Sequence, residues 1–84
     1  MKRSVDRKET GKRIRMLMEE RKITIRQMSD EIGVTFGAVS NILNGRCLPT
    51  IDNMLIMADF MGVKLEDMTV LTKEEKERRL YGRH

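Results

Sequence analysis

Apolar residues recur at spacings of three and four along most of the chain, whereas stretches of alternating apolar and polar residues are nearly absent. A spacing of three and four residues places apolar side chains on one face of an α-helix. Alternation of apolar and polar residues, which is nearly absent here, is the pattern typical of β-strands. The pattern therefore predicts an all-α protein. It predicts one domain over 1–84, with a core of five short helices over about 7–70.

Helix one is predicted at about 7–21. Asp6 followed by Glu9 has the form of an N-terminal capping box. The expected inward positions are Ile14, Leu17 and Met18. Helix two is predicted to start after Thr24, a good N-cap residue, and to end at Gly33, where a left-handed residue would stop it. Its expected inward face is Ile25, Met28 and Ile32.

Helix three is predicted from Phe36 to Asn44, with Thr35 as its cap and Gly45 as its stop. Its expected inward positions are Val39, Ile42 and Leu43. Helix four follows Pro49-Thr50 and covers about 51–61. The apolar residues at helical spacing there are Ile51, Met54, Leu55, Ala58 and Met61.

A fifth, short helix is predicted around 66–68. Thr72 followed by Glu75 has a second capping-box pattern, which opens a charged segment over 72–84. The pattern predicts an additional C-terminal helix there that ends near Tyr81. That segment could be a dimer arm or a solvated tail, and its sequence favours the arm.

Charge is distributed unevenly along the 84 residues. The chain has 17 Lys and Arg against 13 Asp and Glu, and ten of the basic residues fall within 1–26. A basic end on a small domain indicates a polyphosphate partner such as nucleic acid, although Lys and Arg can also simply solvate a helix. With no Trp, one Tyr and two Phe, we do not expect a stacking platform for single-stranded nucleic acid. The eight Met, Met16 among them, are expected mainly to fill the core.

The sequence offers little for catalysis or metal binding. Cys47 is the only cysteine and His84 the only histidine, so we expect no internal disulfide, no zinc site and no cofactor. We expect the protein not to be an enzyme, because it has no cofactor-binding glycine loop and no histidine near a nucleophile. Without a membrane span or signal peptide in the sequence, a cytoplasmic location is expected.

Two helices of about two turns, joined by a short turn that begins with Gly33, indicate a helix-turn-helix. The residues of this unit are ITIRQMSDEIGVT over 23–35, VSNILNGR over 39–46 and Pro49-Thr50, followed by MLIMADFMGVKL over 54–65. Over 11–68 the chain resembles the phage repressor and Cro type of helix-turn-helix, the XRE family. The resemblance implies a five-helix, lambda-repressor-like domain of a transcriptional regulator, expected to be a repressor, that binds double-stranded DNA as a homodimer.

The resemblance also implies site residues. Helix three, over 35–44, would lie in the major groove. The expected base contacts are Phe36, Gly37, Ser40 and Asn41. The expected phosphate contacts are Thr24, Ile25, Arg26, Thr35, Asn44 and Arg46. Asn41 can pair with adenine and Phe36 can touch a thymine methyl, which favours a half-site that contains A and T.

The chain departs from the family pattern in places that keep an alternative open. Ile25 stands where many members have a phosphate-binding Gln, and Met18 and Leu43 stand where many pair an Arg with a Glu. The start of helix three, Phe36-Gly37-Ala38, has few hydrogen-bonding groups. The same fold could therefore serve as a protein-interaction module or an antitoxin-like partner protein.

Overall fold

The computed structural model describes residues 4–72, and the predicted C-terminal helix lies outside these described residues. The helices are α1 (Arg7–Glu20), α2 (Ile25–Ile32), α3 (Phe36–Leu43), α4 (Ile51–Met61) and α5 (Leu65–Met68). The all-α fold and the five predicted helices are confirmed.

Side chains form N-cap hydrogen bonds at the helix N-termini where the sequence predicts them. Asp6 Oδ1 accepts the N–H of Glu9 at 3.0 Å. The Glu9 carboxylate, however, lies 3.2 Å from Lys12 Nζ instead of completing the predicted box. Thr50 caps α4 by accepting the N–H of Asn53 at 3.2 Å. These bonds satisfy donors that a helix start leaves without an intrahelical partner.

The helices enclose one core. α1 packs on α3 and α5, α2 packs on α3 and α4, and α4 also packs on α5. The completely buried apolar residues are Ile14, Met28, Val39, Met57 and Met68. Methionine suits such a core because its unbranched chain adapts to irregular gaps between short helices. Among the helices of residues 4–72, none combines the length and apolar character that a membrane span requires.

The stripe expected along α4 is partly wrong. Ile51 is 64% exposed and Leu55 51% exposed, whereas Met57, absent from the expected stripe, is fully buried. Because α4 is apolar almost all round, helical spacing fits more than one of its faces, and packing on α2 and α5 decides which is buried. On α1, Met16 is likewise 46% exposed and does not fill the core.

α1 approaches the end of α3 unusually closely at Gly11. A Cβ atom on Gly11 would lie 2.6 Å from the carbonyl oxygens of both Ile42 and Leu43, a distance that such atoms essentially never show. Gly11 is therefore the residue that lets the two helix backbones meet. This contact sets the position of α1 beside the C-terminal end of α3.

The two ends of the described chain are joined by a single antiparallel bridge between Val5 and Leu71. The N–H of Asp6 donates to the carbonyl oxygen of Val70 at 2.7 Å, and the N–H of Thr72 donates to that of Ser4 at 2.8 Å. The sequence did not predict this pairing, because a single bridged pair leaves no alternating pattern.

Candidate nucleic-acid interface

A tight turn joins α2 to α3. Gly33 ends α2 with φ of 72°, in the left-handed region that glycine adopts without strain, and its N–H donates to the Ser29 carbonyl at 2.9 Å. Two residues later Thr35 caps α3, its Oγ1 accepting the Ala38 N–H at 3.1 Å. In the predicted helix-turn-helix, α2 therefore ends at a glycine, and a threonine two residues later caps the start of α3.

A complete capping box closes the start of α2. Thr24 Oγ1 accepts the N–H of Gln27 at 3.1 Å, and Gln27 Oε1 accepts the N–H of Thr24 at 2.8 Å. The box does not use the N–H groups of Ile25 and Arg26, which point out of the helix start. Backbone N–H groups in this position, together with the helix dipole, form an anion-binding site.

The expected base-contact residues share one face of α3. Phe36 is 53% exposed, no atom lies near the position of a Cβ on Gly37, and Ser40 and Asn41 are half-buried. The opposite face is buried in the core and consists of Val39, Ile42 and Leu43. The core therefore holds α3 so that its outer face is apolar at the start and polar at the end.

A Schellman turn at the end of α3 brings Arg46 back over the helix. Gly45 has φ of 78°, its N–H donates to the Ile42 carbonyl at 3.1 Å, and the Arg46 N–H donates to the Asn41 carbonyl at 2.9 Å. The side chains of the last pair meet as well, with Arg46 Nη1 donating to Asn41 Oδ1 at 3.2 Å. Arg46 thus lies on the same face as the expected base contacts.

A second arginine reaches this face from α1. Arg15 Nη2 donates to Asn44 Oδ1 at 3.3 Å, and Asn44 Nδ2 contacts Ser40 Oγ at 3.5 Å. Arg7 Nη1 lies 3.5 Å from the Arg46 carbonyl oxygen. The structure therefore gathers Arg7, Arg15 and Arg46 around the end of α3.

Neither Arg7 nor Arg15 was among the residues expected at the site. Both could have been found from helix spacing, since positions 7, 11 and 15 lie on one face of α1. The sequence alone does not show that α1 contacts α3 at Gly11.

Other basic residues in α1 and at its C-terminal cap serve the fold instead. Arg21 Nε donates to the Met61 carbonyl at 2.7 Å, and its Nη1 donates to the Leu17 carbonyl at 3.1 Å. Arg13 Nη1 donates to the Asp67 carbonyl at 3.1 Å. These arginines satisfy carbonyl groups at the ends of α1, α4 and α5. The basic N-terminal part of the chain therefore divides into structural arginines and arginines that face α3.

Comparison with known proteins agrees with this architecture. Three similar solved structures are the restriction-modification controller protein C.AhdI from Aeromonas hydrophila, the clp gene regulator ClgR from C. glutamicum, and ComR from Streptococcus suis. C.AhdI has a TM-score of 0.67 at 17% identity, with 71% of this chain and 91% of C.AhdI covered. ClgR has a TM-score of 0.69 at 18% identity, with 77% and 84% covered.

ComR has a TM-score of 0.68 at 25% identity, and the match covers 92% of this chain but only 26% of ComR. No curated protein sequence matches significantly. The family model HTH_3, described as Helix-turn-helix, matches residues 14–68, which include α2, α3 and α4. The chain therefore belongs to the helix-turn-helix family of DNA-binding regulators, in its phage repressor and Cro (XRE) type.

Proposed function

We propose that this protein represses transcription by binding a specific sequence of double-stranded DNA, with α3 in the major groove. The observation that carries the proposal is the outer face of α3. At its polar end, formed by Ser40, Asn41 and Asn44, Arg46 contacts Asn41 and Arg15 contacts Asn44. Polar side chains that reach base edges, beside cations that neutralise phosphates, are what sequence-specific duplex binding requires. The role needs no catalytic chemistry.

The base contacts proposed are Phe36, Gly37, Ser40 and Asn41. Phe36 begins the outer face and can contact a thymine methyl group. Gly37 has no side chain and no neighbour near its Cβ position, which favours a close approach of DNA at the start of α3. The polar contacts then come one turn later from Ser40 and Asn41.

The phosphate contacts proposed lie on both sides of that face. On one side they are the N–H groups of Ile25 and Arg26 and the Arg26 side chain, and on the other Asn44 and Arg46. The hydroxyls of Thr24 and Thr35 accept N–H groups and keep their own hydrogen for a phosphate oxygen. Arg7 and Arg15 extend this set at the Arg46 side.

A homodimer on DNA is part of the proposal. The outer face of α4 exposes apolar side chains at Ile51, Leu55, Ile56 and Phe60. Asp52 and Asp59 lie on the same arc, so this face would repel a phosphate backbone. A second copy of the chain is the occupant we propose, because it would cover the apolar side chains and place two copies of α3 on a two-fold symmetric site.

Selection of bound sequences from random duplex DNA tests the proposal. The purified protein should enrich a palindromic motif with half-sites about one helical turn apart, near physiological salt. Affinity for the enriched duplex should fall steeply as salt is raised, because phosphate contacts release counterions. Weak, salt-sensitive binding without enrichment would overturn sequence-specific regulation.

A protein-interaction module, such as an antitoxin-like partner protein, is the second candidate. The observation in its favour is the exposed Phe36 ring beside Gly37, an apolar spot at the start of α3. In that case Phe36→Ala would abolish partner binding and Arg15→Ala would leave it intact. The arginines around the end of α3 favour DNA over this candidate, since an apolar partner surface has no use for them.

A further inference from the structure

Both asparagines at the end of α3 have their amide oxygen occupied by an arginine. Arg46 Nη1 donates to Asn41 Oδ1 at 3.2 Å, and Arg15 Nη2 donates to Asn44 Oδ1 at 3.3 Å. A guanidinium group has donors only, so in each pair the amide oxygen must face the arginine. Each asparagine therefore turns its NH₂ group away from the arginine.

The Arg46–Asn41 pair follows from the backbone. In the Schellman turn at Gly45 the Arg46 N–H is bound to the Asn41 carbonyl at 2.9 Å, which fixes Arg46 beside Asn41 before any DNA is present. The side-chain bond then joins two residues that the main chain already holds together. The main chain therefore keeps the Asn41 and Arg46 side chains within hydrogen-bond reach of each other.

The occupied oxygen changes which base Asn41 can recognise. An asparagine reads adenine by accepting from N6 and donating to N7, so it needs both amide atoms. Arg46 takes one of the two lone pairs of Asn41 Oδ1 and places its cationic N–H groups beside that oxygen, which disfavours a second donor such as the N6 amino group of adenine. The Asn41 NH₂ group and the remaining Arg46 N–H groups are donors. Guanine is the base whose major-groove edge presents two acceptors, N7 and O6.

We propose that Arg46 is a specificity-determining residue that holds Asn41 as a donor, so that the pair selects guanine over adenine at one base pair of the half-site. This inference rests on the proposed DNA-binding function and replaces the adenine contact expected for Asn41 from its side chain alone. Arg46 acts there as a positioning residue in addition to its proposed phosphate contact.

The experiment begins with the motif selected by the wild-type protein. The base pair that Asn41 contacts is the one at which Asn41→Ala loses its preference. Affinities are then measured for duplexes carrying each of the four base pairs at that position, with wild type, Arg46→Ala and Arg15→Ala. Arg15→Ala is the matched control, because it removes an arginine that holds Asn44 and leaves the Arg46–Asn41 pair intact.

Wild type should bind the guanine duplex about tenfold more tightly than the adenine duplex. Arg46→Ala should weaken binding to all four and also shift the guanine-to-adenine ratio toward adenine by about tenfold. Arg15→Ala should weaken all four equally and keep the ratio. Replacing that guanine by 7-deazaguanine, which lacks the N7 acceptor, should weaken wild type and leave Asn41→Ala unaffected.

Two results would overturn the inference while leaving sequence-specific DNA binding in place. One is a wild-type preference for adenine at the Asn41 position, which would mean that Arg46 releases the amide oxygen on binding. The other is an Arg46→Ala variant whose guanine-to-adenine ratio equals that of wild type. A selection that enriches no motif would instead overturn the proposed function, and this inference with it.

Discussion

The carbonyl oxygen of Leu43 lies only 2.6 Å from the position that a Cβ atom on Gly11 would occupy. An alanine at position 11 would therefore have to displace the backbone of either α1 or α3. Neither backbone can move freely, because the core residues Ile14 and Val39 are fully buried on the two helices.

We expect Gly11→Ala to lower the free energy of unfolding by roughly 1–3 kcal/mol, as overpacking does in well-packed interiors. Thermal melting followed by circular dichroism measures the change. The matched control is Gly37→Ala, in α3, where no atom lies within 4 Å of the new Cβ. There the higher helix propensity of alanine should raise stability by roughly 0.5–1 kcal/mol. Equal shifts in the same direction would show that the close approach at Gly11 has no energetic consequence.

Substitution of Arg21 should affect stability, whereas substitution of Arg15 should affect DNA binding. Arg21→Ala removes donors to the carbonyls of Met61 and Leu17, and we expect it to cost about 1–2 kcal/mol of stability without changing DNA affinity. Arg15→Ala should change stability by less than about 0.5 kcal/mol but reduce the slope of log affinity against log salt by about 0.9.

Urea denaturation and DNA titrations at several salt concentrations measure both quantities for each variant. The division of the basic residues into two groups would be wrong if Arg21→Ala reduced the salt slope as much as Arg15→Ala.

The apolar face of α4 should control self-association. Leu55→Glu adds a charge beside Asp52 and Asp59 and should convert the proposed dimer to a monomer, because a charge buried between two copies is costly. Sedimentation over a range of concentrations measures the mass, and affinity for a full palindrome should fall to that for a half-site. Met16→Glu is the control, since Met16 is an exposed apolar residue on α1. A dimer that persists in Leu55→Glu would place the contact elsewhere.

Met18 and Leu43 stand where many members of the family pair Arg with Glu, and both are buried in the core. Met18→Arg or Leu43→Glu alone should cost about 3 kcal/mol or more, because each places an unpaired charge in the interior. The double variant should be more stable than the sum of the two losses predicts, by about 1 kcal/mol or more, since the charges can pair.

Denaturation of the four proteins in this cycle measures the coupling. Additive losses would show that the two positions are too far apart to interact across α1 and α3.

The helices and their caps were predictable because their signals are local. Thr24, Thr35 and Thr50 each accept the N–H three residues ahead, and such a bond depends on only four consecutive residues. The buried face of α4 was not predictable in the same way. Its nearly uniform apolar sequence fits several faces, and the choice among them is made by α2 and α5.

The polar residues of the candidate site likewise differ in how far their positions follow from local sequence. That Asn41 and Asn44 share the outer face of α3 follows from helix spacing alone. That Arg15 reaches Asn44 depends on how α1 crosses α3, a relationship between residues 29 positions apart. The position of Arg46 is partly predictable. Gly45 indicates a turn at the end of α3, but it does not show which side chain contacts Asn41.

The pairing of residues 4–6 with 70–72 has a dynamic consequence. The N-terminal end of α1 and the residues that follow α5 would each fray easily without a partner. Here the amide hydrogen of Asp6 is held by Val70 and that of Thr72 by Ser4, so neither end can open without releasing the other. The two amides should therefore exchange with solvent deuterium at closely similar protection, as one cooperative unit. Just after this unit, the Lys8 Cα lies 2.8 Å from the position that a Cβ on Gly45 would occupy, so the two backbones approach closely there. Opening of the unit would therefore loosen the support of the turn that carries Arg46.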